Sequence, residues 1–167
     1  SATEMPLILM SKNPAVMEAG LAKAGNRRPL IYSANSENVA KMAALAKQYK
    51  SPLAVYGSDI SQVAGVVEQA NKAGVEELVL DPGARSFGEV LTRFTQIRRL
   101  ALKNNVRLVG YPVMAFPGEG TCSPEEETVL AGQLVTKYAS IVVLDHFAPN
   151  HAYPLMTLRQ NIYTDPQ

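Results

Sequence analysis

The chain has 167 residues, 47% of them apolar and 19% charged, with a formal net charge of +1. That is enough for one domain with a real core, so the residues are read as a single α/β domain over 1–167, neither disordered nor a coiled coil. Signs are interspersed and no apolar run reaches the ~18 residues of a membrane span, so neither nucleic acid nor a membrane is an expected partner.

Six short apolar runs recur, each ending in small or polar residues and followed by an amphipathic stretch. They are residues 6–10, 29–33, 52–56, 77–80, 106–110 and 140–144. Being continuous rather than alternating, they have the character of strands buried on both faces of a parallel sheet. A weaker seventh strand is expected around residues 161–164. Between the runs lie helix signals in chain order. Asn13-Pro14 is a cap followed by proline at the first helical position. Asp59 with Gln62, Ser86 with Glu89 and Ser123 with Glu126 have capping-box spacing. Apolar residues recur at helical spacing over Ile60–Ala70, Phe87–Ala101 and Val129–Tyr138. Gly25 and Gly74 fall where helices should end.

Parallel strands alternating with helices define an α/β chain, with two architectures in view. One is an incomplete (β/α)8 TIM-type barrel of about six to seven strands; the other is an open doubly wound sheet with a reversal in strand order. An unfinished barrel should expose apolar strand edges and favour association in solution, which light scattering would detect. Both chain ends read as cuts within a longer protein. Residues 111–123, with Pro112, Pro117, Gly118 and Gly120, form the longest expected loop, a functional or interaction surface.

In either architecture ligands sit at the carboxyl ends of strands. The candidate rim there is Asn35, Asn38, Asp59, Asp81, Asp145 and His146. Each also has a plain structural reading. Asp59 is an N-cap, Asn35 and Asn38 are turn and cap residues, and Asp81-Pro82-Gly83 is a turn signature. Asp145-His146 is the most enzyme-like pair, yet neighbours on a strand point to opposite sides. Arg93, Arg98, Arg99 and Lys103 make the one basic cluster, read as a solvated helix face. No phosphate-binding glycine motif is present, and His146 and His151 in a proline-containing loop make a poor metal pair. Cys122, the single cysteine, reads as a spectator thiol. The residues specify no catalytic group and no metal site by themselves.

The stretch from Pro29 to Asn38 (PLIYSANSEN), Met42 to Tyr49 (MAALAKQY), Leu80-Asp81-Pro82-Gly83, Gly110-Tyr111-Pro112-Val113 and the closing Arg159 to Gln167 (RQNIYTDPQ) resemble one known family. It is the large subunit of the corrinoid/iron-sulfur protein, the gamma subunit of the acetyl-CoA decarbonylase/synthase complex. The resemblance implies the last part of a central TIM-type barrel, between a four-cysteine [4Fe-4S] cluster domain and a corrinoid (cobalamin) domain, both absent from these residues. It implies a methyl carrier of the reductive acetyl-CoA pathway, passing a methyl group on cobalt from a methylated pterin or folate to acetyl-CoA synthase. Expected partners are the small subunit, as a heterodimer, with the methyltransferase and acetyl-CoA synthase, in the cytoplasm. The full-length family takes part in methyltransferase chemistry; this stretch is expected to be scaffold, holding neither cofactor. Two other readings stay open: a pterin-binding barrel methyltransferase using Asn35, Asp81 and Asp145, and an unrelated open-sheet binding module.

Overall fold

The computed structural model describes residues 5–137 and 139–164. Two compact units divide at Asp81 and Pro82.

The first unit is a run of βα pairs. Strands β1 (Ile8–Met10), β2 (Leu30–Ala34), β3 (Leu53–Tyr56) and β4 (Leu78–Asp81) lie in the order β1-β2-β3-β4, all parallel. Leu9 is opposite Ile31, Ile31 opposite Leu53, and Val55 opposite Leu80. Sequential order without a reversal is the pattern of a barrel arc and not of a doubly wound sheet. Ile31, Leu53, Val55 and Leu80 are wholly buried, each contributing about 1.5–3 kcal/mol of apolar burial. Burial on both faces explains why these runs are continuous. The β1 side chains Ile8 and Met10 are exposed, the apolar edge expected of an unfinished barrel.

Helices α1 (Pro14–Ala24), α2 (Val39–Tyr49) and α3 (Ile60–Lys72) follow the first three strands. The Asn13 side chain accepts from Ala15 N at 2.9 Å, with Pro14 where no donor is needed. Asp59 caps α3 through Gln62 N at 2.8 Å. Val63, Val66, Val67 and Ala70 form the buried stripe of α3. Gly25 and Gly74 have positive φ at the ends of α1 and α3, as their positions predict.

The second unit departs from the expected pattern. Helix α4 (Phe87–Leu102) opens on a complete Ser86–Glu89 capping box. Its buried stripe is narrower than its apolar spacing suggests: Val90, Phe94 and Ile97 are buried, while Phe87 and Leu91 face outward. The expected strand at 106–110 is instead a 3-10 turn, Arg107–Val109, that folds back on α4. Val106 N donates to Leu100 O at 3.0 Å and Val109 N to Val106 O at 3.2 Å. The strand of this unit, β5 (Met114–Ala115), lies inside the stretch expected to be a loop, and pairs in parallel with β6 (Ile141–Val142). Helix α5 (Pro124–Thr136) stands between them, capped by Ser123 through Glu126 N. Its buried face is Glu127, Leu130, Ala131 and Leu134; Val129 is exposed and Tyr138 lies outside the described residues. The seventh strand expected near 161–164 does not form: those residues end helix α6 (Pro149–Thr164). Leu155 and Leu158 of α6 lie over Gly132 of α5, so helix–helix packing overrides the local preference.

Candidate functional site

In the first unit two of the expected polar positions, Asn35 and Asn38, form interlocked turns at the end of β2. Asn35 N donates to Asn38 Oδ1 at 2.7 Å, while Asn35 Oδ1 accepts from Glu37 N and Asn38 N, both at 3.0 Å. Asn38 Nδ2 in turn donates to Lys12 O at 3.0 Å and Ser33 O at 3.3 Å. One side-chain amide therefore ties the end of β2, the turn into α2 and the loop after β1. Asp59 is exposed and is the α3 cap.

Asp81 is wholly buried at the end of β4, where its carboxylate accepts from the Tyr32 hydroxyl at 2.7 Å. The pairing crosses from β2 to β4, with β3 between them. A buried carboxylate needs such a donor, since leaving it unpaired costs several kcal/mol. Gly57, at the end of β3, donates its N–H to Asp81 O at 3.1 Å. A Cβ there would lie 2.7 Å from Val63 N, so glycine lets the first turn of α3 close against the strand end. Ser33 is also buried, and its Oγ has no hydrogen-bond partner among the described residues. Lys12 Nζ stands 5.9 Å from the Tyr56 ring centroid at the same strand ends.

In the second unit the organising group is Glu127, 2% exposed on the inner face of α5. It accepts from Asp145 N at 2.6 Å and His146 N at 3.2 Å, and its Oε2 lies 2.9 Å from His146 Nδ1. Asp145 and His146 are thus brought to one carboxylate by their backbone, and the imidazole follows with Nδ1 inward. His151, in the first turn of α6, contacts Thr128 Oγ1 through Nδ1 at 2.9 Å, so the two histidines are held by different partners and not in a common loop. Arg85 pairs with Glu119 and lies over the Phe116 ring, 5.0 Å from its centroid. Gly120 packs directly on the Arg85 carbonyl, and Gly118 on the Asp145 carboxylate. The residues of the expected loop are therefore packed into the strand ends.

Sequence reasoning missed Glu127 because three consecutive glutamates open α5, a common dipole-favoured pattern. The signal was present all the same. Glu127 stands three, four and seven residues before Leu130, Ala131 and Leu134, on the buried stripe. Tyr32 and Arg85 left no comparable signal, because their partners are distant in sequence. Glu89 is held below its usual range, first by the backbone N–H of Arg85 and then by that of Ser86.

The polar groups described are arranged as donor–acceptor pairs that fix backbone at strand ends. Among the described residues, no three histidine, cysteine, aspartate or glutamate side chains are placed to hold a metal. Cys122 is exposed and alone, so a four-cysteine cluster does not fit these residues. No described helix is long and apolar enough to cross a membrane.

All of residues 1–167 match the family described as CO dehydrogenase/acetyl-CoA synthase delta subunit. The chain is 45% identical over 167 residues to the corrinoid/iron-sulfur protein large subunit of Moorella thermoacetica, covering 100% of this chain and 37% of that protein. It is 35% identical over 176 residues to the acetyl-CoA decarbonylase/synthase complex subunit gamma 1 of Methanosarcina thermophila, covering 98% and 37%. The chain thus spans a little over a third of the length of these curated relatives. Among solved structures it is similar to the deoxyribose phosphate aldolase of Aeropyrum pernix, with TM-score 0.56, 12% identity, and coverage of 94% of this chain and 71% of that one. At that identity the likeness concerns the fold alone, the parallel βα arrangement of TIM-type barrels. Sequence identity along the whole length, carried on sequentially ordered parallel strands, places this chain in the CO dehydrogenase/acetyl-CoA synthase delta subunit family.

Proposed function

We propose that these residues form the scaffold and docking part of a corrinoid iron-sulfur methyl carrier. In this reading the whole protein moves a methyl group on cobalt from a methylated pterin or folate to acetyl-CoA synthase. The observation that carries the reading is the 45% identity over the entire chain to the Moorella thermoacetica large subunit. The strand-end geometry supports the same role. Asn35 and Asn38 lock a turn, Asp81 holds Tyr32, and Glu127 holds the backbone of Asp145 and His146. Groups used in this way make a rigid surface, which is what positioning a mobile cofactor domain needs.

Corrinoid and [4Fe-4S] cluster belong, on this proposal, to parts of the protein beyond these residues. The strand ends that carry Asn35, Asn38, Asp59 and Asp81 in the first unit, and those that carry Asp145 and His146 in the second, are the surfaces offered to the corrinoid domain and the small subunit, in the cytoplasm. Exposed Ile8 and Met10 on β1 add an apolar edge for a partner to cover.

The test mixes this chain with the small subunit of the corrinoid/iron-sulfur protein from the same organism and follows mass by light scattering. A one-to-one complex is expected. In parallel, calorimetric titration with methyltetrahydrofolate should give no stoichiometric heat. Absence of a complex removes the docking role. Tight binding of the folate would instead establish a pterin-binding methyltransferase, with Asn35 and Asp81 of the first unit and Asp145 of the second as separate candidates to test.

A further inference from the structure

The basic cluster of α4 acquires a second use once the chain folds. Arg93 leaves the group: it pairs with Glu89 at 2.9 Å and donates to Pro82 O at 2.8 Å. Arg98, Arg99 and Lys103 line a cleft of about 260 Å³, together with Lys137 at the end of α5. The apolar part of that cleft is Phe94 and Leu102, and Leu102 is 65% exposed. A neighbouring cleft shares Phe94, Arg98, Leu102 and Lys137 and continues past Gly110 toward the start of β5. Beyond it Arg107 lines a third, beside Ala101 and Asn105. Among the described residues, no aspartate or glutamate lines any of the three.

Two plain explanations account for part of this. Cations near the C-terminus of a helix complement its dipole, which covers Arg99 and Lys103. Long basic side chains also keep a helix face soluble. The same dipole account covers Lys137 at the end of α5. Neither explains why two helix ends bring their cations to one cleft, with Arg107 lining another nearby, nor why a leucine is left exposed between the charges. Among the described residues Arg99, Lys103, Arg107 and Lys137 have no ion-pair partner. The site lies at the amino ends of β5 and β6, away from the strand ends where Glu127 and His146 sit.

The geometry points to a docking site for an acidic, amphipathic peptide segment of a partner protein. Its carboxylates meet Arg99, Lys103 and Lys137, and one aliphatic side chain lies on Leu102 and Phe94. Charge complementarity selects the occupant: four unpaired cations with no anion among them attract a segment rich in glutamate or aspartate. The exposed leucine and the small volume select a peptide over a bulky ligand, whose pockets run to about 300–1,000 Å³. This inference stands independently of the methyl-carrier reading.

The experiment uses the whole chain and a fluorescent synthetic peptide of ~15 residues in which glutamates flank spaced leucines. Anisotropy should show saturable binding that weakens as salt rises from about 50 to about 200 mM. Amide shifts should cluster in residues 94–107 and at Lys137. Arg99→Glu with Lys103→Glu should weaken binding ~10-fold or more. Leu102→Ser should weaken the leucine peptide and leave a glutamate–serine peptide of equal charge unchanged. Circular dichroism checks that both variants fold; if either does not, the shift map of the unaltered chain decides. The inference is overturned by absent saturation, by shifts elsewhere, by variants that bind as well as the parent, or by an oligonucleotide of equal charge displacing the peptide at equal concentration. The last result would assign the cleft to nucleic acid.

Discussion

Replacing Glu127 by alanine tests whether one buried carboxylate holds the end of β6. The side chain accepts from two backbone N–H groups, at 2.6 and 3.2 Å, and contacts His146 Nδ1 at 2.9 Å. At ~1.5–3 kcal/mol for each bond to a charged acceptor, the three set a ceiling well above the expected loss. Two effects lower it. Asp145 and His146 are exposed, so their freed N–H groups return to water. The cost of burying the carboxylate is also recovered. About 2–4 kcal/mol remains, and at ~2–4 °C per kcal/mol for a chain of this size the melting temperature should fall by roughly 5–15 °C. Glu127→Gln keeps the volume and one acceptor, so it should lose less, about 1–2 kcal/mol. Thermal melts give the global value, and amide hydrogen exchange at Asp145 and His146 gives the local one. An alanine variant melting within ~1 °C of the parent, with unchanged exchange at those two amides, would refute the assignment.

Four further outcomes follow from named residues. Glu89 titrates below its usual value of 4.5, so the capping box contributes fully above that value and is lost as pH falls through the lower folded value; Glu89→Gln should flatten the stability profile below pH 4.5, read by urea unfolding at each pH. Asn38→Asp removes the donor to Lys12 O and Ser33 O and should cost about 1–3 kcal/mol in the same assay; an unchanged midpoint contradicts the turn-locking role. Gly65 lies in α3 with open space where a Cβ would stand, so Gly65→Ala should stabilise by about 0.5–1 kcal/mol. Gly120→Ala, whose Cβ would fall on the Arg85 carbonyl, should instead lower soluble yield and melting temperature.

In the first unit, secondary structure was legible almost residue by residue. Strands there are buried on both faces and so are written as unbroken apolar runs, and the caps at Asn13 and Asp59 are local signals between neighbours. Family membership was legible too, through phrases such as those around Asn35 and Asp81. Beyond Pro82 the same grammar misleads. Residues 106–110 carry strand composition but fold as a 3-10 turn, since hydrogen bonds back to the end of α4 are within reach. Met114-Ala115, flanked closely by Pro112 and Pro117, is too short for any periodicity to register. A helix containing Pro154 was unexpected because that residue has no N–H for the bond to Asn150 O.

Composition and pattern by themselves determined the class of fold, the buried stripe of α3, the caps at Asn13, Asp59, Ser86 and Ser123 and the kinship of the chain, because these depend on residues close in sequence or on the order of phrases. Tertiary structure alone decided which polar groups meet. Tyr32 reaches Asp81, Glu127 reaches Asp145 and His146, and Lys137 joins α4 across long stretches of chain. A carboxylate written in a row of three becomes a buried clamp only when the folded strand brings donors to it, and no local rule encodes that meeting.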